Sequence, residues 1–374
     1  ALATAPSVKV TDASGNAVAG TLVTLAVTSG GGTVDPVTAV TTNASGIAAA
    51  ASWTLGTVAG SNTLSATATG LTGSPVSFTA TGTAGSAATL TTAAGDNQTA
   101  GVGSAVAIAP QVLVVDAFGN PKSGVSVSFV PVAGSGSVTG GTTTTNTSGL
   151  ATVGSWTLGA TAGSNSLTAT ATGSGISGNP ATFTATGTAG SAASVIANSV
   201  TTQSATVGTA VSAPPSVLVR DATNNPVANA TVTFAVTAGG GSVVGGSQTT
   251  NGAGVATLTS WTLGTTAGSN TVTATVSGSG ISGNPVSFTA TGTAGPAATI
   301  ALNLGNNQSA TVNTTVATAP SVKVTDANGN AVTGTLVTFA VTSGGGAVVP
   351  VTAVATNASG IAAVTSWTLG TVAG

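Results

Sequence analysis

Apolar and polar residues alternate along short stretches of the chain, among them Val125-Ser-Val-Ser-Phe129, Leu167-Thr-Ala-Thr-Ala171 and Phe183-Thr-Ala185. A period of two puts alternate side chains on one face and predicts strands with one side buried. Turn signals separate these stretches: Phe118-Gly-Asn-Pro121, Ala133-Gly-Ser-Gly136, Asn146-Thr-Ser-Gly149 and Ala162-Gly-Ser-Asn165. Their spacing of about ten residues, with no helical periodicity between them, predicts an antiparallel sandwich of about seven strands. The abundance of Thr and Val agrees, because branched side chains pack well on a pleated surface. A mean hydropathy of +0.50 is high, but it comes from scattered Ala and Val. No apolar run approaches the ~20 residues of a spanning helix, so no membrane insertion is expected in this segment.

The pattern repeats. Trp-Thr-Leu-Gly starts at Trp53, Trp156, Trp261 and Trp367, at spacings of 103, 105 and 106 residues. An Asp followed four positions later by Asn begins at Asp12, Asp116, Asp221 and Asp326. Gly-Thr-Ala-Gly recurs at Gly82, Gly187 and Gly292, each time just before a fresh unit. These markers divide the chain into units 1–85, 86–190, 191–295 and 296–374, the middle two complete at 105 residues. The first unit lacks its N-terminal strand and the last its C-terminal strands, and the two do not complete one another head to tail. Residues 3–60 and 317–374 are identical at 50 of 58 positions, so the order is A-B-C-A. That order, and a first residue that is not Met, predict a processed chain or a window on a longer repetitive protein.

Composition then removes most chemistry. Only ten of 374 residues are charged: four Lys plus Arg and six Asp. There is no His, Cys, Met, Tyr or Glu. A general acid or base would have to be Asp or Lys. A Ser-His-Asp triad, a thiol nucleophile and a Cys/His zinc site cannot be built, so no enzyme and no cofactor is expected. The net charge of −2 supplies no basic field for nucleic acid. Disorder is not expected either, since disordered chains combine low hydrophobicity with high net charge.

The remaining candidates each have a structural explanation. Trp53, Trp156, Trp261 and Trp367 occur once per unit beside apolar residues and read as core anchors between sheets, worth ~3–5 kcal/mol against Ala, in preference to stacking platforms for sugars or bases. Asp12, Asp116, Asp221 and Asp326 read as turn residues that hydrogen-bond their own backbone. A calcium site needs six to eight oxygens, usually several from carboxylates, and each unit offers at most one further Asp, Asp35 or Asp96, so no metal is expected. Lys9 and Lys323 share a unit position, to which Val114 and Leu218 or its neighbours are expected to correspond in the middle units, and read as solvated edge charges. Arg220 directly precedes Asp221, and adjacent strand residues face opposite ways. Ser29-Gly-Gly-Gly32 and Ala238-Gly-Gly-Gly241 follow strands and carry no Lys, so they read as loops, not phosphate cradles. Asn-x-Ser/Thr acceptors at Asn43, Asn97, Asn146, Asn229, Asn307, Asn313 and Asn357 accord with an Asn-, Ser- and Thr-rich composition.

Several motifs keep their order across the chain. Pro-x-Val-x-Val-x-Asp-x-x-Gly-Asn-x-Val spans Pro6 to Val18 and Pro320 to Val332. Thr-Asn-x-x-Gly-x-Ala and Trp-Thr-Leu-Gly-x-x-Ala-Gly-x-Asn follow it. Together these resemble the bacterial Ig-like domains of the invasin and intimin type, often called Big-1 domains. The resemblance covers every unit and implies an Ig-like sandwich on a bacterial surface. The fold expected is therefore all-β, with tandem Ig-like sandwiches arranged as an elongated rod or filament. The function expected is that of a non-enzymatic extracellular structural protein: a surface filament, fibre or adhesin stalk. Nearly uncharged faces oppose lateral packing little, which favours self-association into a filament or sheath. The alternative is an adhesion module whose inter-strand loops recognise a surface glycan or host receptor.

Overall fold

The computed structural model describes residues 1–374, and the alternating stretches form its ladders. In Ala181–Thr188 every second residue is buried, including Phe183 and Ala185. Within 86–190 one sheet runs, in neighbour order, Gln98–Gly101, Ala181–Thr188, Gly163–Ala171, Ser126–Pro131 and Thr142–Thr144. A second runs Leu150–Thr152, Gln111–Asp116 and Ala87–Ala94, and Ser137–Thr139 pairs separately with Ser155–Thr157. One core joins them: Leu90, Val112, Val114 and Ala151 meet Val127, Phe129, Leu167 and Phe183, with Trp156 among them. The Phe129 and Phe183 rings lie 6.4 Å apart at 37°, a tilted aromatic pair.

All these pairings are antiparallel except one. Gln98–Gly101 runs parallel to Ala181–Thr188, with Gln98 opposite Ala185 and Gly101 opposite Thr188. The start of the unit thus pairs first in one sheet and then in the other, and two facing sheets joined in this way form an immunoglobulin-like sandwich. Residues 191–295 repeat the arrangement, with Thr202–Thr206 parallel to Val286–Thr293 around a core that contains Trp261, Val272 and Phe288. The chain is a tandem series of such sandwiches.

Residues 86–190 contain ten strand segments where about seven were expected. The first strand divides at Gly95-Asp96-Asn97 as the chain changes sheets. Gly140-Gly141 and Gly154 divide two others, where the chain steps between ladders. At Gly154 the backbone passes so close that an added Cβ would lie 2.9 Å from the Thr139 carbonyl oxygen. The turn expected over Ala162–Asn165 ends sooner, because Gly163 opens the strand Gly163–Ala171 and Asn165 is buried within it. Register corrects one alignment: Lys9 faces Ile47 as Leu113 faces Leu150 and Lys323 faces Ile361, so the counterpart of Lys9 is Leu113, not Val114. Lys323 is exposed but belongs to a central strand, paired on both sides, rather than to an edge.

The chain groups into two compact units, Ala1–Thr188 and Ala189–Gly374. The first contains a core around Trp53, Leu25 and Leu64 and the core around Trp156. The second contains the core around Trp261 and a small one of Val324, Val337 and Ala362.

Candidate functional site at the repeat junction

Side-chain hydrogen bonds cluster around the Asp-Asn turn in every repeat. Within Ala1–Thr188, Asp116 Oδ1 accepts from the backbone N–H groups of Phe118 and Asn120, both at 2.9 Å. Asn120 Nδ2 donates to Asp116 Oδ2 at 2.9 Å. So far this is an Asx turn. The same two side chains also reach into the preceding repeat. Asn120 Nδ2 donates to the Thr57 carbonyl at 2.8 Å, and Ala59 N–H donates to Asn120 Oδ1, also at 2.8 Å. Asp116 Oδ2 accepts from Gly85 N–H at 2.8 Å, and Lys122 Nζ donates to the Ala84 carbonyl at 3.2 Å. The turn therefore clasps both the loop after Trp-Thr-Leu-Gly and the Gly-Thr-Ala-Gly linker.

Within Ala189–Gly374 the same clasp is built. Asn330 Nδ2 donates to the Thr265 carbonyl at 2.8 Å and Ala267 N–H donates to Asn330 Oδ1 at 2.7 Å. Gly295 N–H donates to Asp326 Oδ2 at 2.9 Å. Asp221 accepts from Gly190 N–H at 2.9 Å and from its own Asn225. Asp12 has the turn bonds, from Ser14 and Asn16, but is exposed.

The gripped loop is itself held from inside. Trp53 lies in the strand Ser52–Leu55, is 1 % exposed and anchors the stretch that enters the loop. Asn62, fully buried, spans the loop base: its Oδ1 accepts from Gly56 N–H at 3.1 Å and its Nδ2 donates to the Gly60 carbonyl at 3.2 Å. Asn165 and Asn270 repeat this. Gly32 (φ +89°) passes against the same loop, where an added Cβ would collide with the Thr54 carbonyl. Chemically the site is a relay of amides and carboxylates that ties one core to the next.

Electrostatics follows from these donors. The Asn120 side chain, against the opposing effect of burial, and then Gly85 N–H hold Asp116 well below the ordinary carboxylate range. Burial works to raise Asp221, but Asn225 and Gly190 outweigh it and hold it low. Asp326 is lowered to about 2, chiefly by the Asn330 side chain. Each carboxylate is thus an ionised acceptor whose oxygens are occupied by N–H groups, which is why the turn works as a clasp.

Trp156 and Trp261 are buried like Trp53, whereas Trp367 is only half-buried. Trp156 Nε1 donates to the Ser135 carbonyl at 2.9 Å, while Nε1 of Trp53 and Trp261 is buried without an acceptor. In those repeats Gly31 and Gly240 replace Ser135 and take φ of +73° and +74°, which turns the peptide the other way. Two further roles lay unread in the sequence. Asn62, Asn165 and Asn270 each follow Trp by nine residues. Thr42, Thr145, Thr250 and Thr356 are buried and directly precede Asn43, Asn146, Asn251 and Asn357; Thr145 Oγ1 donates to the Lys122 carbonyl at 2.6 Å and accepts from Val125 N–H. Fixed spacing was the available signal for both.

No protein-family model and no curated protein matches the sequence. Among solved structures, the chain is similar to the Escherichia coli adhesin FdeC, at 23 % identity over 75 % of this chain and 90 % of that one, with a TM-score of 0.47. It is similar to invasin, a bacterial integrin-binding protein, at 17 % identity over 99 % of this chain and 71 % of that one, with a TM-score of 0.44. It is also similar to InvD of Yersinia pseudotuberculosis, at 21 % identity over 66 % of this chain and 72 % of that one, with a TM-score of 0.41.

Proposed function

We propose that the chain is a non-enzymatic structural section of an extracellular or bacterial cell-surface protein, in which tandem Ig-like repeats act as a spacer in a stalk or filament. One observation carries this reading. The most elaborate polar site in each unit is directed at the neighbouring repeat, and Asn120 and Asn330 make equivalent bonds, at 2.8 and 2.8 Å and at 2.8 and 2.7 Å, to equivalent loops. A junction of this kind restrains the hinge between domains, which otherwise moves freely when the interface is small and polar. Self-association through the uncharged Thr and Ser faces is the filament form of the same role.

Small-angle scattering of the 374-residue chain tests it. The native chain should scatter as an extended particle with restrained junctions. Replacing Asn120 and Asn330 together with Ala should shorten the maximum dimension and add the signature of flexibly joined beads, while circular dichroism stays unchanged. A native chain that already scatters as flexible beads would rule out the spacer.

A further inference from the structure

Two asparagines of the chain are followed directly by glycine, Asn251 and Asn328. An asparagine so placed can be attacked by its own backbone. The nitrogen of the next residue adds to the side-chain carbonyl carbon, and a glycine there has no side chain to obstruct the approach. The attack needs a peptide N–H free to lose its proton and a side-chain oxygen able to take on negative charge.

The two sites differ in both respects. Asn251 begins the exposed turn that enters the strand Val255–Thr257. Its Oδ1 accepts from Ala253 N–H at 2.9 Å and from Val255 N–H at 3.1 Å. Two donors aimed at one carbonyl oxygen polarise its carbon and stabilise charge that develops on the oxygen, as an oxyanion hole does. Gly252 is exposed, its N–H donates to no protein group, and an added Cβ would meet nothing within 4 Å. At the other site Gly329 N–H is engaged, donating to the Asp326 carbonyl at 3.1 Å. The oxygen that gathers the donors there is Asp326 Oδ1, from Asn328 and Asn330 N–H. The Asn251 turn recurs in the other repeats, where Asn43, Asn146 and Asn357 accept from the residues two and four positions on. In those turns the next residue is Ala44, Thr147 or Ala358, so only Asn251 combines the turn with glycine.

We propose that Asn251 is a site of self-modification, selected by its folded turn for deamidation to aspartate or isoaspartate. Gly252 N gives up its proton to solvent base and attacks Cγ of Asn251. The new N–Cγ bond closes a succinimide as the Cγ–Nδ2 bond breaks, and Nδ2 leaves as ammonia with a proton from water. Water then opens the ring, its hydroxyl going to one carbonyl carbon and its proton to Gly252 N. In sum, the amide and one water give a carboxylic acid and ammonia, with no change of oxidation state. The acid ionises and adds one negative charge to a chain whose net charge is −2. The aspartate product has a template in the same repeat. Asp221 Oδ1 accepts from Thr223 and Asn225 N–H, again two and four positions on, at 2.9 and 2.8 Å.

The test is incubation of the native chain in mildly alkaline buffer, with mass-spectrometric peptide mapping to follow the change from amide to acid at each asparagine. Asn251 should react at least about tenfold faster than Asn328, the factor for about 1.4 kcal/mol of barrier. In urea, where both are plain Asn-Gly pairs, the two rates should converge. Gly252→Ala, which enters open space and matches Ala44 and Ala358, should slow the reaction of Asn251 by at least about tenfold. Thr147→Gly should create a reactive site at Asn146. The proposal is overturned if Asn251 stays an amide in the native chain, if Asn328 reacts as fast, if the preference persists in urea, or if Thr147→Gly leaves Asn146 unreactive.

Discussion

Replacing Asn120 with Ala probes the energy of the junction. Asn120 makes two inter-repeat hydrogen bonds, each 2.8 Å. A neutral hydrogen bond contributes about 0.5–1.5 kcal/mol net, so the pair should stabilise the docked loop by about 1–3 kcal/mol. Asn16 bonds its own Asp12 at 3.0 Å, as Asn120 bonds Asp116. Asn16→Ala removes a turn bond of the same kind without touching the Ala59 N–H. The readout is native-state hydrogen exchange at Ala59, whose N–H donates to Asn120. Exchange at Ala59 should accelerate about 5- to 150-fold in Asn120→Ala, following tenfold per 1.4 kcal/mol. In Asn16→Ala, exchange at Ala59 should not change. Equal protection of Ala59 in native chain and Asn120→Ala would show that the clasp holds nothing, and the junction argument would fail.

Three further outcomes are expected. Since Asp116, Asp221 and Asp326 are held below the ordinary value of 3.8, the unfolded chain binds protons more readily than the folded one in acid. Stability should therefore stay flat from about pH 5 to 9 and fall below about pH 4, toward the value of about 2 for Asp326; a urea midpoint that moves substantially between pH 5 and 9 would contradict this. Asn270→Ala should cost about 1–3 kcal/mol in urea unfolding, because it strands the buried Gly264 N–H. Gly32→Ala should destabilise the chain by more than ~1 kcal/mol, through its positive φ and the collision with Thr54, whereas Gly103→Ala, with φ +68° but open space, should cost less, as thermal midpoints will show.

The strands and repeats were legible because burial imposes period two, and a unit that recurs every 105 residues shows that pattern repeatedly. The turn role of Asp116 was legible for the same local reason: Asp, Gly and Asn within five residues define an Asx turn. The inter-repeat role of the turn was not, because Gly85 lies 31 residues from Asp116 and Thr57 lies 63 from Asn120, and both present only backbone atoms, which leave no trace in residue type. Asn62 stood inside a motif quoted for its resemblance, but spacing alone does not reveal that an amide bridges the two ends of a loop. The division of the first strand was hidden because Gly95-Asp96-Asn97 reads as an ordinary turn, whereas the chain uses it to change sheets.

That change of sheet has a mechanical consequence. Gln98–Gly101 lies near the entry of its repeat, Ala181–Thr188 near the exit, and the two run parallel. Tension applied through entry and exit acts along the ladder, so its rungs are sheared together rather than peeled one at a time. The rungs join four residue pairs in residues 86–190 and five in 191–295, where Thr202 faces Thr289 and Thr206 faces Thr293. Pulled in series, the repeat with the shorter ladder should yield first, which would make residues 86–190 the mechanical fuse of the two.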